Sequence, residues 1–204
     1  MKKLYALFAL FAFVALGLYA PAPAAADSAA LAPAAIGTVV DDFKLPDAEG
    51  REHTLASLKG KNGTALIFVA VQCPVSNAYN ERMEKLHQDY KSRGVAVVGI
   101  NSNVAETADA IKAHAKEKGL TFPVLKDKEN RVADRLGAGR TPEVFFLDAA
   151  GKLVYHGAID NAQNPAMVNA NHLRNAIDAT LEGKAVERAD VKAFGCSIKR
   201  AGGN

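Results

Sequence analysis

The stretch TALIFVAVQCPVSN, residues 64–77, carries the clearest structural pattern of this chain. Its first part, residues 64–71, is an unbroken apolar run of strand length, which is typical of a central strand buried on both faces. Cys73 and Pro74 follow. Proline is favoured in the first turn of a helix, because the N–H that it lacks would have no partner there. The stretch therefore predicts a buried strand that passes through Cys73 into a helix.

Strands and helices alternate on both sides of this stretch. Apolar residues at helical spacing over residues 79–90 predict that the helix after Cys73 continues through them and ends at Gly94, and the turn residues at 46–50 predict an N-terminal β-hairpin. Further elements are predicted, in chain order, as a strand over 95–100, a helix over 105–118, a strand over 123–125, a helix over 130–136, a hairpin over 143–156 and a helix over 171–181. This order predicts an α/β fold whose central mixed β-sheet has helices on both faces, with an N-terminal β-hairpin extension.

The N-terminus has the pattern of an export signal. Lys2 and Lys3 precede an apolar run over residues 4–20, and prolines and small alanines follow over residues 21–26. An uncleaved membrane anchor is the alternative, but the run is short of the roughly 20 apolar residues that a comfortable span needs. We therefore predict a cleaved signal peptide over residues 1–26, a periplasmic mature protein and no stable membrane association after cleavage.

Composition supports one globular domain. The 204 residues are 49% hydrophobic and 23% charged, with a net charge of +3 that includes Lys2 and Lys3 of the leader. The nearly neutral mature chain has no basic run, so a nucleic acid partner is not expected. We predict a linker over residues 27–37, a domain over residues 38–183 and a C-terminal tail over residues 184–204 that carries Cys196.

Cys73 is the candidate for chemistry. A thiol at the start of a helix faces unpaired N–H groups and the positive end of the helix dipole. Such positions lower the pKa of cysteine from about 8.5 to roughly 3.5–7.5, and the thiolate is the nucleophile. A buried structural cysteine is the alternative interpretation.

Several motifs resemble those of one superfamily. The run FVAVQCPVSN, residues 68–77, looks like the active-site turn of thioredoxin-like proteins, and Thr141-Pro142 resembles their Thr-cis-Pro pair. The entry hairpin, the DAAGK turn at 148–152 and FGCSIK at 194–199 are similar to bacterial peroxiredoxin-like redoxins. The resemblance covers about residues 38–181 and the tail motif. It implies a thioredoxin-like fold and thiol-dependent redox chemistry.

The departures from these families limit the chemistry. Ser76 stands where thioredoxins have their second cysteine, Ile67 where they have a buried acid, and Gln72 where they have Trp. A local Cys-x-x-Cys disulfide is therefore impossible. Ala70 and Leu66 replace the hydroxyl residue and the proline of true peroxiredoxins, which argues against efficient peroxidase activity.

Cys196 is the only other cysteine, and three roles for it stay open. It resolves an oxidised Cys73, or it forms a static clasp worth on the order of 4–5 kcal/mol for a loop of this size, or it stays free.

Residues around the nucleophile are candidates for positioning the substrate. We assign this role to Pro74, Ser76, Arg140, Thr141 and Pro142. Arg140 favours the thiolate if a cis Pro142 brings it near Cys73, and otherwise it is a surface arginine. Ser76 either donates a hydrogen bond to the Cys73 sulfur or serves only the helix start.

The histidines do not suggest a metal site. They share no ligand spacing, and His156 is singled out because its hairpin follows Thr141-Pro142; the five are His53, His87, His114, His156 and His172. No resident metal or cofactor is expected.

The main hypothesis is a periplasmic thiol-disulfide oxidoreductase or a peroxiredoxin-like antioxidant protein. Its catalytic residues are Cys73 and Cys196, its substrates protein disulfides, small-molecule disulfides or peroxide, and its electron donor an unidentified periplasmic protein. One alternative is a Cu(I)-binding metallochaperone, since two thiolates suit Cu(I), although Val69 stands where such proteins have their other cysteine. The other alternative is a non-catalytic scaffold in which Cys73 and Cys196 form a structural disulfide.

Overall fold

A computed structural model describes residues 32–201 of the chain. The predicted signal peptide, residues 1–26, lies outside these residues. Within the described part, no helix is both long enough and apolar enough to cross a membrane.

Short strands and helices alternate along the described chain. The strands are β1 Lys44–Pro46, β2 Glu52–Thr54, β3 Gly63–Phe68, β4 Val95–Asn101, β5 Val124–Lys126, β6 Arg140–Thr141, β7 Glu143–Asp148, β8 Leu153–Gly157, β9 Asp190–Val191 and β10 Cys196–Ser197. The helices are α1 Leu55–Leu58, α2 Pro74–Asn77, α3 Asn80–Lys91, α4 Ala108–Lys118, α5 Arg131–Leu136 and α6 His172–Leu181, with a 3-10 turn at Pro165–Met167.

The central sheet is mixed, as the sequence predicts. Its strand order is β5-β4-β3-β7-β8-β9. Strands β3, β4 and β5 run parallel, β7 pairs antiparallel with β3 and β8, and β9 runs parallel to β8. Strands β1 and β2 form a separate antiparallel hairpin, which confirms the N-terminal extension. The fold class is confirmed.

Strand β3 is at the centre of the core because its side chains alternate between two apolar clusters. Ala65 and Ile67 pack into the cluster beneath α3 and α6, whereas Leu66 and Phe68 pack into the cluster beneath α5 and the N-terminal segment. These four residues are 0% exposed. Since a fully buried aliphatic or aromatic side chain contributes about 1.5–3 kcal/mol, β3 fixes the position of whatever follows it.

Two elements differ from the sequence prediction near Cys73. Strand β3 ends at Phe68, so residues 69–72 form a loop rather than the end of the strand. The single helix predicted after Cys73 is two helices: the short α2 starts at Pro74, and α3 begins at Asn80. Between them the Tyr79 N–H donates to the Ser76 carbonyl at 3.0 Å, a tight turn that redirects the chain.

Main-chain hydrogen bonds also join the core to the segments predicted as linker and tail. The Ala34 N–H donates to Leu136 and the Gly37 N–H to Leu153, at 2.9 and 2.8 Å. In the tail, β9 pairs with β8, and β10 pairs antiparallel with β6. The tail therefore adds strands, whereas the predicted domain boundaries at residues 37 and 184 stay a prediction.

Candidate active site around Cys73 and Cys196

Cys73 lies at the junction between the loop after β3 and helix α2. It is the N-cap of α2, and Pro74 occupies the first helical turn. The backbone N–H of Ser76 points at the Cys73 sulfur at 3.2 Å. An N–H group aimed at sulfur stabilises a thiolate more than a thiol. The local geometry that the sequence predicts around Cys73 is present.

Cys73 is joined to Cys196 by a disulfide bond. Their Cα atoms are 6.0 Å apart and the two residues are separated by 123 positions. The interpretation in which Cys196 stays free is therefore wrong. The tail brings Cys196 into place because β10 pairs with β6, with Cys196 opposite Thr141.

The Thr141-Pro142 peptide bond is cis. The Thr141 carbonyl oxygen lies 3.3 Å from the Cys73 sulfur. The Thr141 hydroxyl is buried and has no hydrogen-bond partner within residues 32–201. The loop with the cis-proline therefore contacts the disulfide through its backbone, and Thr141 and Pro142 lie where the sequence places them.

The residues around Cys196 fit tightly against this loop. Gly195 has a φ of 147°, and a Cβ atom there would lie 2.1 Å from the Thr141 carbonyl oxygen. Ile198 is buried in the core, and its N–H donates to Gly139 at 3.0 Å. A glycine before the cysteine and an apolar anchor after it hold the tail against the domain.

The two sulfur-bearing residues differ in accessibility. Cys73 is only 3% exposed, because the tail and the cis-proline loop cover it. Cys196 is partly exposed. In the disulfide form the protein therefore presents Cys196 to solvent.

Two predicted positioning residues, Ser76 and Arg140, each had two possible roles, and the structure shows which atoms they contact. The Ser76 hydroxyl does not donate to sulfur; its oxygen accepts a hydrogen bond from the Ala70 N–H at 3.1 Å. The Arg140 guanidinium donates to the Gly195 carbonyl at 3.1 Å and so contacts the residue next to Cys196 rather than the Cys73 sulfur. Ser76 thus fixes the loop before Cys73, whereas Arg140 binds the tail.

Glu106 is a site residue that the sequence did not reveal. The residue is 4% exposed. Its two carboxylate oxygens accept hydrogen bonds from the N–H groups of Val71 and Gln72, each at 2.9 Å, so the carboxylate fixes the backbone just before Cys73. Glu106 falls within the helix predicted over residues 105–118, whereas α4 begins only at Ala108, and a single glutamate there gives no sequence signal for such a distant contact.

A second buried carboxylate supports the cis-proline loop. Glu143 follows Pro142, and one of its oxygens accepts hydrogen bonds from the N–H groups of Gly139 and Arg140, at 2.7 and 2.8 Å. Its other oxygen lies 2.8 Å from Nε2 of His156. His156, the histidine that the sequence singled out, is therefore part of the surroundings of this loop.

The described residues contain no group of three or more His, Cys, Asp or Glu side chains placed to hold a metal ion.

The fold and the site define a thioredoxin-like protein in which a cysteine at a helix start faces a cis-proline and is bonded to a second cysteine. Residues 36–156 match the model of the AhpC/TSA family, and the chain belongs to that family.

Relatives and solved structures extend this likeness. The thiol-disulfide oxidoreductase ResA of Geobacillus thermodenitrificans is 34% identical over 58% of this chain and 67% of its own length. The crystal structure of a hypothetical protein from Sinorhizobium meliloti is 40% identical, covers 83% of this chain and 97% of its own, and has a TM-score of 0.77. That of a putative thiol:disulfide interchange protein DsbE from Chlorobium tepidum is 26% identical, covers 72% and 98%, and has a TM-score of 0.61.

Proposed function

We propose that this protein is a thiol-disulfide oxidoreductase that cycles between a Cys73–Cys196 disulfide and a dithiol. The observation that carries the proposal is the disulfide itself, placed between the start of α2 and the cis-proline loop. The oxidoreductases among the similar proteins support the same chemistry.

In the reducing step, a thiolate of the electron donor attacks the Cys196 sulfur, because Cys196 is the more exposed of the two residues. A bond forms between the donor sulfur and Cys196, and the bond to Cys73 breaks. The electron pair leaves on Cys73 as a thiolate, which the Ser76 N–H stabilises. A second donor thiol then attacks the mixed disulfide, so the donor becomes a disulfide and the protein a dithiol.

In the oxidising step, the Cys73 thiolate attacks one sulfur of a substrate disulfide and releases the other as a thiolate. Cys196 loses its proton to solvent and attacks the Cys73 sulfur. The second substrate thiolate leaves and the Cys73–Cys196 bond reforms. Two electrons pass from the protein to the substrate. The tail must move away from Cys73 for this step, since Cys73 is 3% exposed in the disulfide form.

Disulfides suit this site better than peroxide. The position three before Cys73 is Ala70, whose N–H donates to the Ser76 hydroxyl oxygen and which has no hydroxyl of its own to bind a peroxide. We therefore propose protein or small-molecule disulfides as substrates. The export pattern of residues 1–26 supports a periplasmic location and a periplasmic thiol protein as electron donor.

The test compares turnover by three proteins with insulin disulfide and, separately, with hydrogen peroxide. The wild type is expected to reduce insulin, Cys73→Ser to lose turnover, and Cys196→Ser to accumulate a mixed disulfide on Cys73. Full activity of Cys73→Ser would overturn the assignment. The reduction potential separates a cycling pair from a static clasp, because structural disulfides typically lie below about −300 mV.

A further inference from the structure

A hydrogen-bonded triad of side chains connects the cis-proline loop to the tail. His156 lies between Glu143 and Asp190: its Nε2 is 2.8 Å from a Glu143 oxygen and its Nδ1 is 2.9 Å from an Asp190 oxygen. Glu143 belongs to β7, His156 to β8 and Asp190 to β9. The triad therefore crosses three neighbouring strands of the sheet.

One end of this triad supports the loop that contacts Cys73. The Glu143 carboxylate accepts hydrogen bonds from the N–H groups of Gly139 and Arg140, which precede the cis bond. Both Glu143 and His156 are 5% exposed. A buried carboxylate is costly unless its charge is compensated, so the position of His156 matters for the loop.

The other end supports the segment that leads to Cys196. Besides the Asp190 contact, the His156 N–H donates to the Ala189 carbonyl at 2.8 Å. The next residue, Gly157, approaches the tail so closely that a Cβ atom would lie 1.7 Å from the Val191 carbonyl oxygen. His156 is thus the residue of β8 at which the tail is attached by both main chain and side chain.

The ionisation of His156 determines whether both ends can be held together. An ionised carboxylate only accepts hydrogen bonds, so a ring between two carboxylates needs N–H groups on both nitrogens and is then an imidazolium. Burial lowers the pKa of His156, but its hydrogen bonds with Glu143 and Asp190 outweigh burial and raise the pKa above its ordinary value of 6.5. The third neighbour of the ring, Phe145, is uncharged and lies 4.7 Å away between centroids.

We propose that His156 is a positioning residue for the Cys73–Cys196 pair, which holds the cis-proline loop and the tail in register through Glu143 and Asp190. The inference rests on the proposed function, because only a cycling pair has a dithiol state from which the tail must bring Cys196 back to Cys73 to reform the disulfide. In that state the effective concentration of Cys196 near Cys73 depends on how firmly the tail is attached. Loss of the Glu143–His156–Asp190 triad loosens the tail in the reduced protein and disfavours formation of the Cys73–Cys196 disulfide.

The pH dependence follows from the direction of the His156 shift. A histidine whose folded pKa is raised contributes its full stabilisation below the ordinary value of 6.5 and loses it as the pH rises through the higher folded value. Tail attachment in the reduced protein is therefore expected to weaken as the pH rises through the raised pKa of His156.

The experiment measures the equilibrium of the Cys73–Cys196 pair with glutathione from about pH 5 to about pH 9, by acid trapping and mass spectrometry. The variants are His156→Gln, Asp190→Ala, the double variant, and Glu187→Ala as an exposed control in the same tail. We expect the equilibrium constant for disulfide formation to fall about tenfold in both single variants at low pH, which corresponds to about 30 mV. The double variant is expected to add little to either single change.

The two variants keep the proposal falsifiable. The Asp190 side chain is 70% exposed, so Asp190→Ala is expected to fold even if His156→Gln does not. Equilibria equal to the wild type over the whole pH range, or a loss that is the same at every pH, would overturn the positioning role. The measurement needs no substrate, so a wild type that fails to reduce insulin would contradict the proposed function while the equilibrium still tests His156.

Discussion

The two cysteine-bearing segments of the site are built in opposite ways. Cys73 follows the fully buried strand β3 and starts a helix, so local sequence determines its position. Cys196 lies in a two-residue strand, and contacts with distant residues hold it in place: Thr141 across the strand pair, Arg140 at Gly195, and Gly139 at Ile198. The Cys73 end of the site therefore belongs to the core, whereas Cys196 depends on a segment that can be loosened.

The largest expected difference between the segments is in stability. Ile67→Ala in β3 is expected to reduce the free energy of unfolding by about 2–5 kcal/mol, because it leaves a cavity in the central strand. Ile198→Ala removes a side chain of the same size from a segment that a two-residue strand holds. We expect this segment to relax towards the cavity and the loss to be about 2 kcal/mol or less. Denaturant unfolding of both variants measures these losses of unfolding free energy. Equal losses would contradict the difference between the core and the tail.

A substitution at a glycine of the tail is expected to have the next largest effect. Gly195→Ala introduces a Cβ atom 2.1 Å from the Thr141 carbonyl oxygen at a φ of 147°. We expect a cost of at least about 1–3 kcal/mol and a smaller disulfide fraction at a fixed glutathione ratio. Gly139→Ala is the control, since a Cβ atom there meets nothing within 4 Å. Normal disulfide formation in Gly195→Ala would show that the tail needs no close approach.

The loop before Cys73 provides a change of intermediate size. In the wild type the N–H groups of Val71 and Gln72 each donate to a different oxygen of the Glu106 carboxylate. Glu106→Gln leaves only one acceptor oxygen for both. The unpaired N–H is expected to cost about 1–3 kcal/mol in denaturant unfolding and to make Cys73 of the reduced protein react faster with iodoacetamide. Glu117→Gln on the exposed face of α4 is the control, and the same behaviour in both variants would refute the role of Glu106.

The smallest effect is expected at Arg140. Arg140→Met removes the hydrogen bond to the Gly195 carbonyl, which lies at an exposed position. The expected loss is about 0.5–1 kcal/mol, visible as faster amide hydrogen exchange around Cys196 with little change elsewhere. Arg131→Met, another exposed arginine, should leave exchange in the tail unchanged. Protection that persists in Arg140→Met would mean that strand pairing alone holds the tail.

Sequence reasoning succeeded where the causes are local. The apolar run that becomes β3 and Pro74 after Cys73 are readable from neighbouring residues, and they fix the fold class and one half of the site. The cis Pro142 follows instead from the resemblance of Thr141-Pro142 to the Thr-cis-Pro pair of thioredoxin-like proteins. The break between α2 and α3 was missed, because apolar spacing continues through Tyr79 although the backbone turns there.

The rest of the site depends on contacts between residues far apart in the chain. Glu106, Glu143 and Asp190 carry no pattern that distinguishes them from surface acids, and only the fold brings them to backbone N–H groups or to His156. The strand at Cys196 has two residues, too few to show a period of two. Pairing of the cysteines followed from the strand register, which the sequence left open.

The separation of 123 positions between the bonded cysteines means that most of the domain lies inside a covalent ring. When the oxidised chain is unfolded, only the segments outside the ring can extend. At about 3.3–3.6 Å per residue, reduction lengthens the fully stretched chain by about 400 Å. The oxidised denatured protein should accordingly migrate faster in a non-reducing gel, and mobility alone becomes a readout of the redox state in cell extracts.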